Sequence, residues 1–405
     1  MTREFWPSKI LISPEAKDDA ITKRVIHGLN KHTEINGTQR ELVYLDHPLE
    51  GDPLGANSTN ENPISRFNQG KRTLLISHYK GQWLKPCPGT QEHVCCNLWI
   101  VNPGEGCPLD CTYCYLQNYL LRNPTLKIYS NIDSLLGALE TQALGAPERF
   151  FRVGTGEVID SLVWDELTGL TTDLVPFFGR QKNLTLELKS KFDYVENLVN
   201  LKNDHRGNTV VSWSVNARSI TEKDEAFTAP LTSRIQAAAR VVAAGYRVGF
   251  HFDPMIHFAN WEDEYLETVK EIFNTIDSRR IAWVSLSTLR YKPKMQEIMK
   301  SRFPQSKIPY GEQFLAADEK IRYIQPLRLK MLRFMWRELK ARNPNLPVYL
   351  CMESSTAWKE LGSDGEGLAG EELSFAGLPG TRPELVEIFS RKKKPAQQIL
   401  SGGEL

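Results

Sequence analysis

The chain has 405 residues, of which 41% are hydrophobic and 24% charged, and its formal net charge is +1. This composition is typical of a soluble globular protein and excludes fibrous and largely disordered chains. The near-zero net charge excludes a global attraction to nucleic acid or to an anionic membrane, so a polynucleotide partner would need a local basic groove.

The N-terminal residues MTREFWPSKILIS lack the apolar core of a signal peptide, and no later stretch approaches about 18 consecutive apolar residues. We therefore expect a cytoplasmic protein that does not enter a membrane. Seven cysteines, an odd number, argue against a disulfide framework in such a chain and favour metal or catalytic chemistry.

The first part of the chain predicts a small α/β extension. Strands are predicted at KILIS, RELVYL and RTLLIS, and a helix at DDAITKRVIHGLN. The polar segment 51–70, rich in Asn, Pro and Gly, predicts a loop.

From Asn97 onward, apolar runs of strand length alternate with amphipathic helical patterns, for example the helix predicted at 230–246. This alternation predicts an α/β fold in which six β/α units form a partial TIM-like barrel with a parallel sheet. The predicted strands are NLWIVN (97–102), RFFRVG (149–154), LTLELKS (184–190), TVVSWSVN (209–216), RVGFHFDP (247–254) and IAWVSLSTL (281–289).

The C-terminal part predicts a helix through RLKMLRFMWRELKARN, a strand at PVYLCMES (347–354) and a polar tail. The aromatic and basic residues of that helix either line a nucleic-acid groove or belong to a core-packed amphipathic helix, and the helical spacing favours the core. We divide the chain into an N-terminal extension (1–96), the barrel (97–300), C-terminal helices and a strand (301–361), and the tail (362–405).

Three cysteines lie close together on the loop that leaves the first barrel strand. Cys107, Cys111 and Cys114 have the spacing C-x3-C-x2-C. Grouped thiolates suit an iron–sulfur cluster or zinc, but no second C-x2-C pair follows to complete a closed zinc site. Three ligands and one open position therefore favour a cubane cluster with one iron free to bind a small chelating molecule.

This spacing, with Tyr113 before the last cysteine, resembles the signature of the radical S-adenosylmethionine (SAM) superfamily. The stretch CTYCYLQNYLLRNPTLKIYSNIDSLL resembles more closely the spore photoproduct lyase branch, in which tyrosines bracket the last cysteine as Tyr113 and Tyr115 do here. Counterparts of VSWSVNARSI, AGYRVGFHFDPMIHFANWEDEY and ILISPEAKDDAITKRVIHGLN are also found there. The similarity covers residues 8–300.

The resemblance implies a radical SAM partial barrel, a [4Fe–4S] cluster and SAM, which the reduced cluster cleaves to a 5′-deoxyadenosyl radical. It also implies catalytic roles for Tyr113 and Tyr115, and a reducing partner such as flavodoxin or ferredoxin. The substrate it implies is DNA or a nucleotide.

Several positions match SAM-binding positions of the branch. The segment RVGTGEVIDS resembles a glycine-rich SAM-binding loop, in which glycine permits close backbone approach and a carboxylate can accept from the SAM ammonium group. Lys189 is an alternative to Lys191, because alternation along a strand puts both on one face. The matching residues are Gly154, Thr155, Gly156, Glu157, Lys191, Ser214 and Asn216.

Ordinary structural roles are the alternative for several polar residues of the strand ends. Ser214 and Asn216 also fit polar capping of a strand end, and Asp253 before proline fits a turn. We expect His251, in mid-strand, to be a core histidine with satisfied hydrogen bonds, and His257 to lie at the surface.

The lyase branch carries a hydrogen-donating cysteine at the end of the second barrel strand, and Gly154 takes that place here. The reaction class therefore carries over more firmly than thymine-dimer reversal. Four further cysteines, Cys87, Cys95, Cys96 and Cys351, are candidate ligands of a second iron–sulfur cluster or else buried inert thiols.

Three functions remain open from the sequence. The first is radical SAM chemistry on a DNA base or lesion, with carbon–carbon bond chemistry of the lyase type. The second is radical SAM chemistry on a peptide or small metabolite, and the third is a non-catalytic iron–sulfur sensor or scaffold.

Overall fold

The computed structural model of the chain describes residues 6–36, 39–49, 51, 53–54, 62–89, 93, 96–202 and 206–362. Its strands are β1 Lys9–Ile12, β2 Glu41–Tyr44, β3 Thr73–Ser77, β4 Lys85–Pro86, β5 Trp99–Ile100, β6 Gly104–Glu105, β7 Asp110–Cys111, β8 Leu126–Tyr129, β9 Phe151–Gly154, β10 Leu184–Ser190, β11 Thr209–Ser214, β12 Glu225–Ala226, β13 Arg247–Met255, β14 Ile281–Thr288, β15 Arg290–Tyr291, β16 Phe314–Leu315, β17 Ile321–Arg322 and β18 Val348–Leu350. Its helices are α1 Ala20–Asn36, α2 Pro63–Gly70, α3 Leu116–Tyr119, α4 Ile132–Gly145, α5 Asp165–Thr168, α6 Leu170–Arg180, α7 Glu196–Asn200, α8 Arg218–Asp224, α9 Leu231–Ala243, α10 Trp261–Thr275, α11 Lys294–Arg302, α12 Gln325–Arg342 and α13 Ser355–Gly362.

The larger sheet is the predicted partial barrel. Its order is β18-β14-β13-β11-β10-β9-β5-β4, so the six predicted barrel strands are consecutive neighbours, and they pair in parallel. Strand β14 is buried along its whole length, because helices cover the outside of the sheet and the barrel interior covers its other face. The carboxyl ends of these strands meet at one rim, where the chemistry of such barrels lies.

The first barrel strand is shorter than predicted. It pairs only over Trp99–Ile100 instead of 97–102. Asn97 has a φ of 55°, in the left-handed region, which interrupts extended pairing before Trp99. The strand predicted at 184–190 is confirmed residue for residue.

The smaller sheet has the order β2-β1-β3-β8-β6 and contains the predicted strands of the N-terminal extension. Its last two strands come from beyond residue 97, so the segment that carries the cysteines passes from the barrel into this sheet and back. The division into domains at residues 96, 300 and 361 stays a prediction.

The predicted loop at 51–70 is wrong in its second half, because Pro63–Gly70 is helix α2. The side chain of Asn62 caps this helix by accepting from the amide of Ile64 at 2.9 Å, proline occupies the first turn, and Phe67 is buried. The helix was not predicted because its sequence is mostly polar and it packs through one large apolar side chain.

The C-terminal helix α12 packs against the core through Leu329, Leu332, Met335, Trp336 and Leu339, which confirms the core-packed alternative. The strand predicted at 347–354 is confirmed over Val348–Leu350 and extends the barrel sheet in parallel beside β14. Residues 363–405 of the predicted tail lie outside the described residues. Among the described residues, no helix combines the length and the apolar character that crossing a membrane requires.

Candidate iron–sulfur and SAM site

The loop that carries Cys107, Cys111 and Cys114 is held in a fixed shape by backbone hydrogen bonds. Gly106, at a φ of 86°, donates its amide to the Val158 carbonyl at 2.8 Å, and the Cys114 amide donates to the Cys111 carbonyl at 3.1 Å. The side-chain amide of Gln117 donates to the Cys111 and Thr112 carbonyls at 3.0 and 2.8 Å. The three thiols are therefore presented by a preorganised turn.

Ion pairs fix this loop to neighbouring elements. Asp110 accepts from Lys71 at 2.7 Å and from Arg302 at 2.8 Å. The next residue, Cys111, lies opposite Glu225 across the antiparallel pair β7–β12. The loop is thus tied to α2, α11 and β12 at the middle cysteine.

The three thiols line one wall of a cavity of about 530 Å³ at the carboxyl rim of the barrel. Burial raises the pKa of all three, and the neighbouring thiols raise those of Cys107 and Cys111 further. Thiolates bind iron, so the positive charge of a cluster would compensate this cost.

The donor set fits a cubane cluster better than a single metal ion. Within the described residues, no three His, Cys, Asp or Glu side chains are grouped to hold one metal ion. A cubane takes each thiolate on a different iron, and three cysteines leave its fourth iron open. The adjoining cavity provides room for a ligand of that iron.

Tyr113 and Tyr115 occupy different environments beside the last cysteine. Tyr113 is buried, and its hydroxyl contacts the Glu225 carboxylate, the Lys191 ammonium group at 3.2 Å and the Asn216 amide at 3.4 Å. Tyr115 is 47% exposed and donates its hydroxyl to the Glu157 carbonyl at 2.6 Å. Both line the cavity.

Lys191 lies on the cysteine side of the cavity. Its ammonium group forms an ion pair with Glu225 at 3.1 Å, and Glu225 pairs in turn with Arg234 at 2.6 Å. These positive partners hold the pKa of Glu225 at about 2 in spite of burial, which acts in the opposite direction. The carboxylate therefore stays ionised and keeps Lys191 and Tyr113 together.

The glycine-rich loop after β9 approaches the backbone of β10 closely. A Cβ atom on Gly156 would lie 3.1 Å from the Lys189 carbonyl oxygen and 3.1 Å from Ser161 Oγ, so any side chain there would displace one of these neighbours by a few tenths of an ångström. Thr155 is buried and hydrogen-bonded to Ser161 at 2.7 Å. Gly156 and Glu157 line the cavity, whereas Gly154 is a buried strand residue beneath Leu98.

The two polar residues at the end of β11 have separate surroundings. Ser214 lines the cavity. The side chain of Asn216 is engaged inside the protein, where it donates to the Pro254 carbonyl at 3.0 Å and accepts from Tyr265. SAM contacts by these residues stay predictions.

The role of Asp160 was not predicted from the sequence. Its carboxylate accepts from the amides of Leu162 and Val163 at 3.0 and 3.1 Å, from Ser190 Oγ at 2.7 Å and from the Lys191 amide at 2.7 Å. It therefore joins the glycine-rich loop to the end of β10. An Asx turn at the sequence Asp-Ser-Leu-Val was the available signal.

A buried charge network fills the barrel below the cavity. Glu187 pairs with Arg152 at 2.6 Å and accepts from Ser212, His251 and Trp283 at 2.9, 2.9 and 3.0 Å. His251 is therefore a satisfied core residue, as predicted. His257 is exposed, also as predicted.

Asp253 does more than shape a turn, because its carboxylate pairs with Arg290 at 2.9 Å on the cavity wall. The ion pair joins the end of β13 to the strand β15, which follows β14. The partner lies 37 residues away in sequence, so no local motif indicated it.

The further cysteines flank the cavity on other sides. Cys87 lines it directly. His93 pairs with Ser354 in an isolated antiparallel bridge between the segments that carry Cys96 and Cys351. The thiols of Cys96 and Cys351 pack against a hydrophobic cluster that contains Tyr349 and Trp283. Cys95 lies outside the described residues.

A partial β/α barrel whose first strand leads into a C-x3-C-x2-C loop facing one rim cavity defines the radical SAM class of enzymes. The model of the family described as "Spore photoproduct lyase" matches residues 5–317. The chain belongs to this family. It is a radical SAM enzyme, and the family uses a [4Fe–4S] cluster and SAM.

Curated relatives support this assignment. Spore photoproduct lyase of Geobacillus sp. (strain Y412MC61) is 26% identical over 350 residues, which are 84% of this chain and 93% of the relative. The Bacillus subtilis (strain 168) enzyme is 25% identical over 259 residues, 64% of this chain and 73% of the relative. A solved spore photoproduct lyase double mutant with bound AdoMet and dinucleoside spore photoproduct shares the fold, with a TM-score of 0.71, 21% identity and coverage of 86% of this chain and 99% of that one.

Proposed function

We propose that this enzyme acts on a DNA base or lesion, from which a 5′-deoxyadenosyl radical abstracts hydrogen. When bound, the reduced cluster and SAM supply that radical. The observation that carries the proposal is the rim cavity, which is lined both by the three thiols and Tyr113 and by Lys189 and Arg290. A substrate would therefore lie beside the cofactor.

The chain's own residues hold and orient the reactants in this proposal. Cys107, Cys111 and Cys114 bind the cluster, and Lys191, positioned by Glu225, faces the same wall. Gly156 lets a ligand approach the backbone, and Ser214 offers a hydroxyl at the end of β11. Tyr113 and Tyr115 contact the reacting groups next to Cys114.

A peptide or small metabolite is the second candidate substrate, and Gly154 is the observation that favours it. The position where the lyase branch carries its donor thiol has no side chain here, and Leu98 lies 3.3 Å from where a Cβ atom would stand. A lyase reaction would need its hydrogen from elsewhere.

The accessory cysteines support a proposal of their own, a second iron–sulfur cluster held by Cys87, Cys95, Cys96 and Cys351. The bridge between residues 93 and 354 and the packing of Cys96 and Cys351 against the same hydrophobic cluster support it. An iron content near eight per chain after anaerobic reconstitution is expected. A content near four with full activity contradicts the second cluster and leaves Cys351 as a free thiol near the cavity.

The electron donor in this proposal is flavodoxin or ferredoxin. Tyr119, which is 61% exposed, and Tyr115 lie next to the cluster loop and offer a surface for such a partner. Replacement of dithionite by either reduced protein should sustain SAM cleavage.

The substrate proposal is tested with a dinucleotide spore photoproduct. Anaerobically reconstituted enzyme, SAM and dithionite should convert the photoproduct to the dinucleotide with two intact thymines and form 5′-deoxyadenosine, and deuterium placed at the abstracted position should appear in the 5′-deoxyadenosine. A DNA-lesion substrate is contradicted if 5′-deoxyadenosine forms at the same rate with and without the photoproduct, no deuterium is transferred and the photoproduct is not consumed. That result favours a peptide or small metabolite as the substrate.

A further inference from the structure

Lys189 differs from the other cations on the cavity wall. Each of the others has a carboxylate partner: Lys191 with Glu225 at 3.1 Å, Arg290 with Asp253 at 2.9 Å, Lys292 with Glu319 at 3.3 Å and Lys320 with Asp318 at 3.4 Å. Among the described residues, the ammonium group of Lys189 has neither a hydrogen bond nor an ion pair. It is the cation left available to a ligand.

The backbone of Lys189 is rigid, so the direction of its side chain is well defined. Its amide donates a hydrogen bond to Ser161 Oγ at 2.9 Å, and β10 pairs with β11 at this position. Both contacts fix the backbone of this residue. Side chains two apart share a face of a strand, and Glu187 points into the barrel network. Lys189 therefore stands one layer above Glu187, at the floor of the cavity.

The two lysines at the end of β10 serve different sides of the cavity. Lys191 contacts Tyr113 and pairs with Glu225, which lies opposite Cys111, so it lies toward the cluster. Lys189 instead helps Arg290 to lower the pKa of Asp253 against the opposite effect of burial, so its ammonium group lies toward Asp253. Lys189 thus faces the part of the cavity away from the cluster.

Nearby acids do not satisfy Lys189. Asp253 is already committed to Arg290, with two contacts at 2.9 and 3.4 Å. A half-buried ammonium group without a partner binds an anionic oxygen more strongly than an exposed one, because less water competes. The region that it faces is where a substrate, rather than the cluster ligand, would lie.

We propose that Lys189 binds an anionic phosphate oxygen of the substrate and so fixes the substrate beyond the cofactor. This inference rests on the proposed DNA substrate and names the group that anchors it. A carboxylate of SAM is the competing source of the same charge, and the experiment separates the two.

The test measures binding of two probes to the reconstituted enzyme with SAM at low salt: a dinucleotide spore photoproduct with its phosphodiester, and the same molecule with a neutral methylphosphonate. Wild type should bind the phosphodiester about tenfold more tightly. Lys189→Met should abolish this difference and Lys189→Arg should retain it. Lys292→Met, which removes an exposed cation of the same wall, is the matched control and should leave the preference unchanged.

A phosphodiester preference that survives in Lys189→Met overturns the inference, while tight binding of both probes still supports the DNA substrate. A SAM dissociation constant that rises about tenfold in Lys189→Met, with the preference unchanged, overturns it in favour of the SAM carboxylate. If neither probe binds wild type, the DNA substrate fails. The anion site is then tested by chemical acetylation of the lysines with and without inorganic phosphate. Phosphate should protect Lys189, but not Lys292, from acetylation. Equal labelling of Lys189 with and without phosphate overturns the inference.

Discussion

Glu225 lies opposite Cys111, the middle cysteine of the C-x3-C-x2-C loop, across the short antiparallel pair β7–β12, and its buried carboxylate contacts Tyr113, Lys191 and Arg234. One acidic residue thereby links the cysteine loop to the lysine at the end of β10. The link is buried, so it resists competition from water and salt.

Replacement of this carboxylate should be costly. Glu225→Gln leaves the fully buried Arg234 without its anionic partner, and we expect the free energy of unfolding to fall by about 3–5 kcal/mol. Urea unfolding of the reconstituted protein measures it. Glu271→Gln breaks an exposed pair with Arg218 and should cost less than about 1 kcal/mol. Equal losses in the two variants would contradict the role of Glu225.

The glycine-rich loop offers a second prediction. In Gly156→Ala, the new Cβ atom lies 3.1 Å from the Lys189 carbonyl oxygen, so the loop and β10 must move apart by a few tenths of an ångström. We expect the SAM dissociation constant to rise about three- to tenfold, measured by equilibrium dialysis with the reconstituted enzyme.

The matched control is Gly137→Ala in α4, where a Cβ atom meets nothing within 4 Å. It should leave SAM binding unchanged and stabilise the helix by about 0.5–1 kcal/mol. Unchanged SAM binding in Gly156→Ala would remove this loop from the cofactor site.

The barrel interior predicts a dependence of stability on pH. Burial lowers the pKa of His251 to about 4, although Glu187 acts in the opposite direction. In the unfolded chain, the pKa of this histidine is about 6.5, so below that pH the unfolded chain takes up a proton that the folded chain does not. The free energy of unfolding therefore decreases as the pH falls from about 6.5 to about 4.

Between pH 7.5 and 5.5, this histidine should contribute a loss of about 1 kcal/mol in the free energy of unfolding. Urea unfolding of wild type and His251→Gln at both pH values isolates the contribution. The variant is less stable at both values but should lose less between them. Parallel losses would show that His251 does not titrate in this way.

Local patterns predicted much of the fold because apolar runs and helical spacing are local properties. The strand at 184–190 and the cysteine loop were found in this way, since their signals lie within a few residues. The helix at 63–70 was missed because its only strong apolar anchor, Phe67, lies among polar residues.

The electrostatics of the site were less accessible to the sequence. Glu225 meets Tyr113 across 112 residues and Lys191 across 34, and β12, which positions it, has two residues and no periodicity. The partnership of Asp253 with Arg290 likewise depends on how β13 and β15 meet. Only the folded arrangement shows which of Lys189 and Lys191 already has a partner.

The formation of 5′-deoxyadenosine tests the central claim most directly. Reconstituted wild type, reduced with dithionite under anaerobic conditions and given SAM, should form 5′-deoxyadenosine, and Cys111→Ala should form none. Absence of the product from wild type that carries its full iron content, or an equal amount from Cys111→Ala, would contradict a cluster held by Cys107, Cys111 and Cys114 with one iron open to SAM.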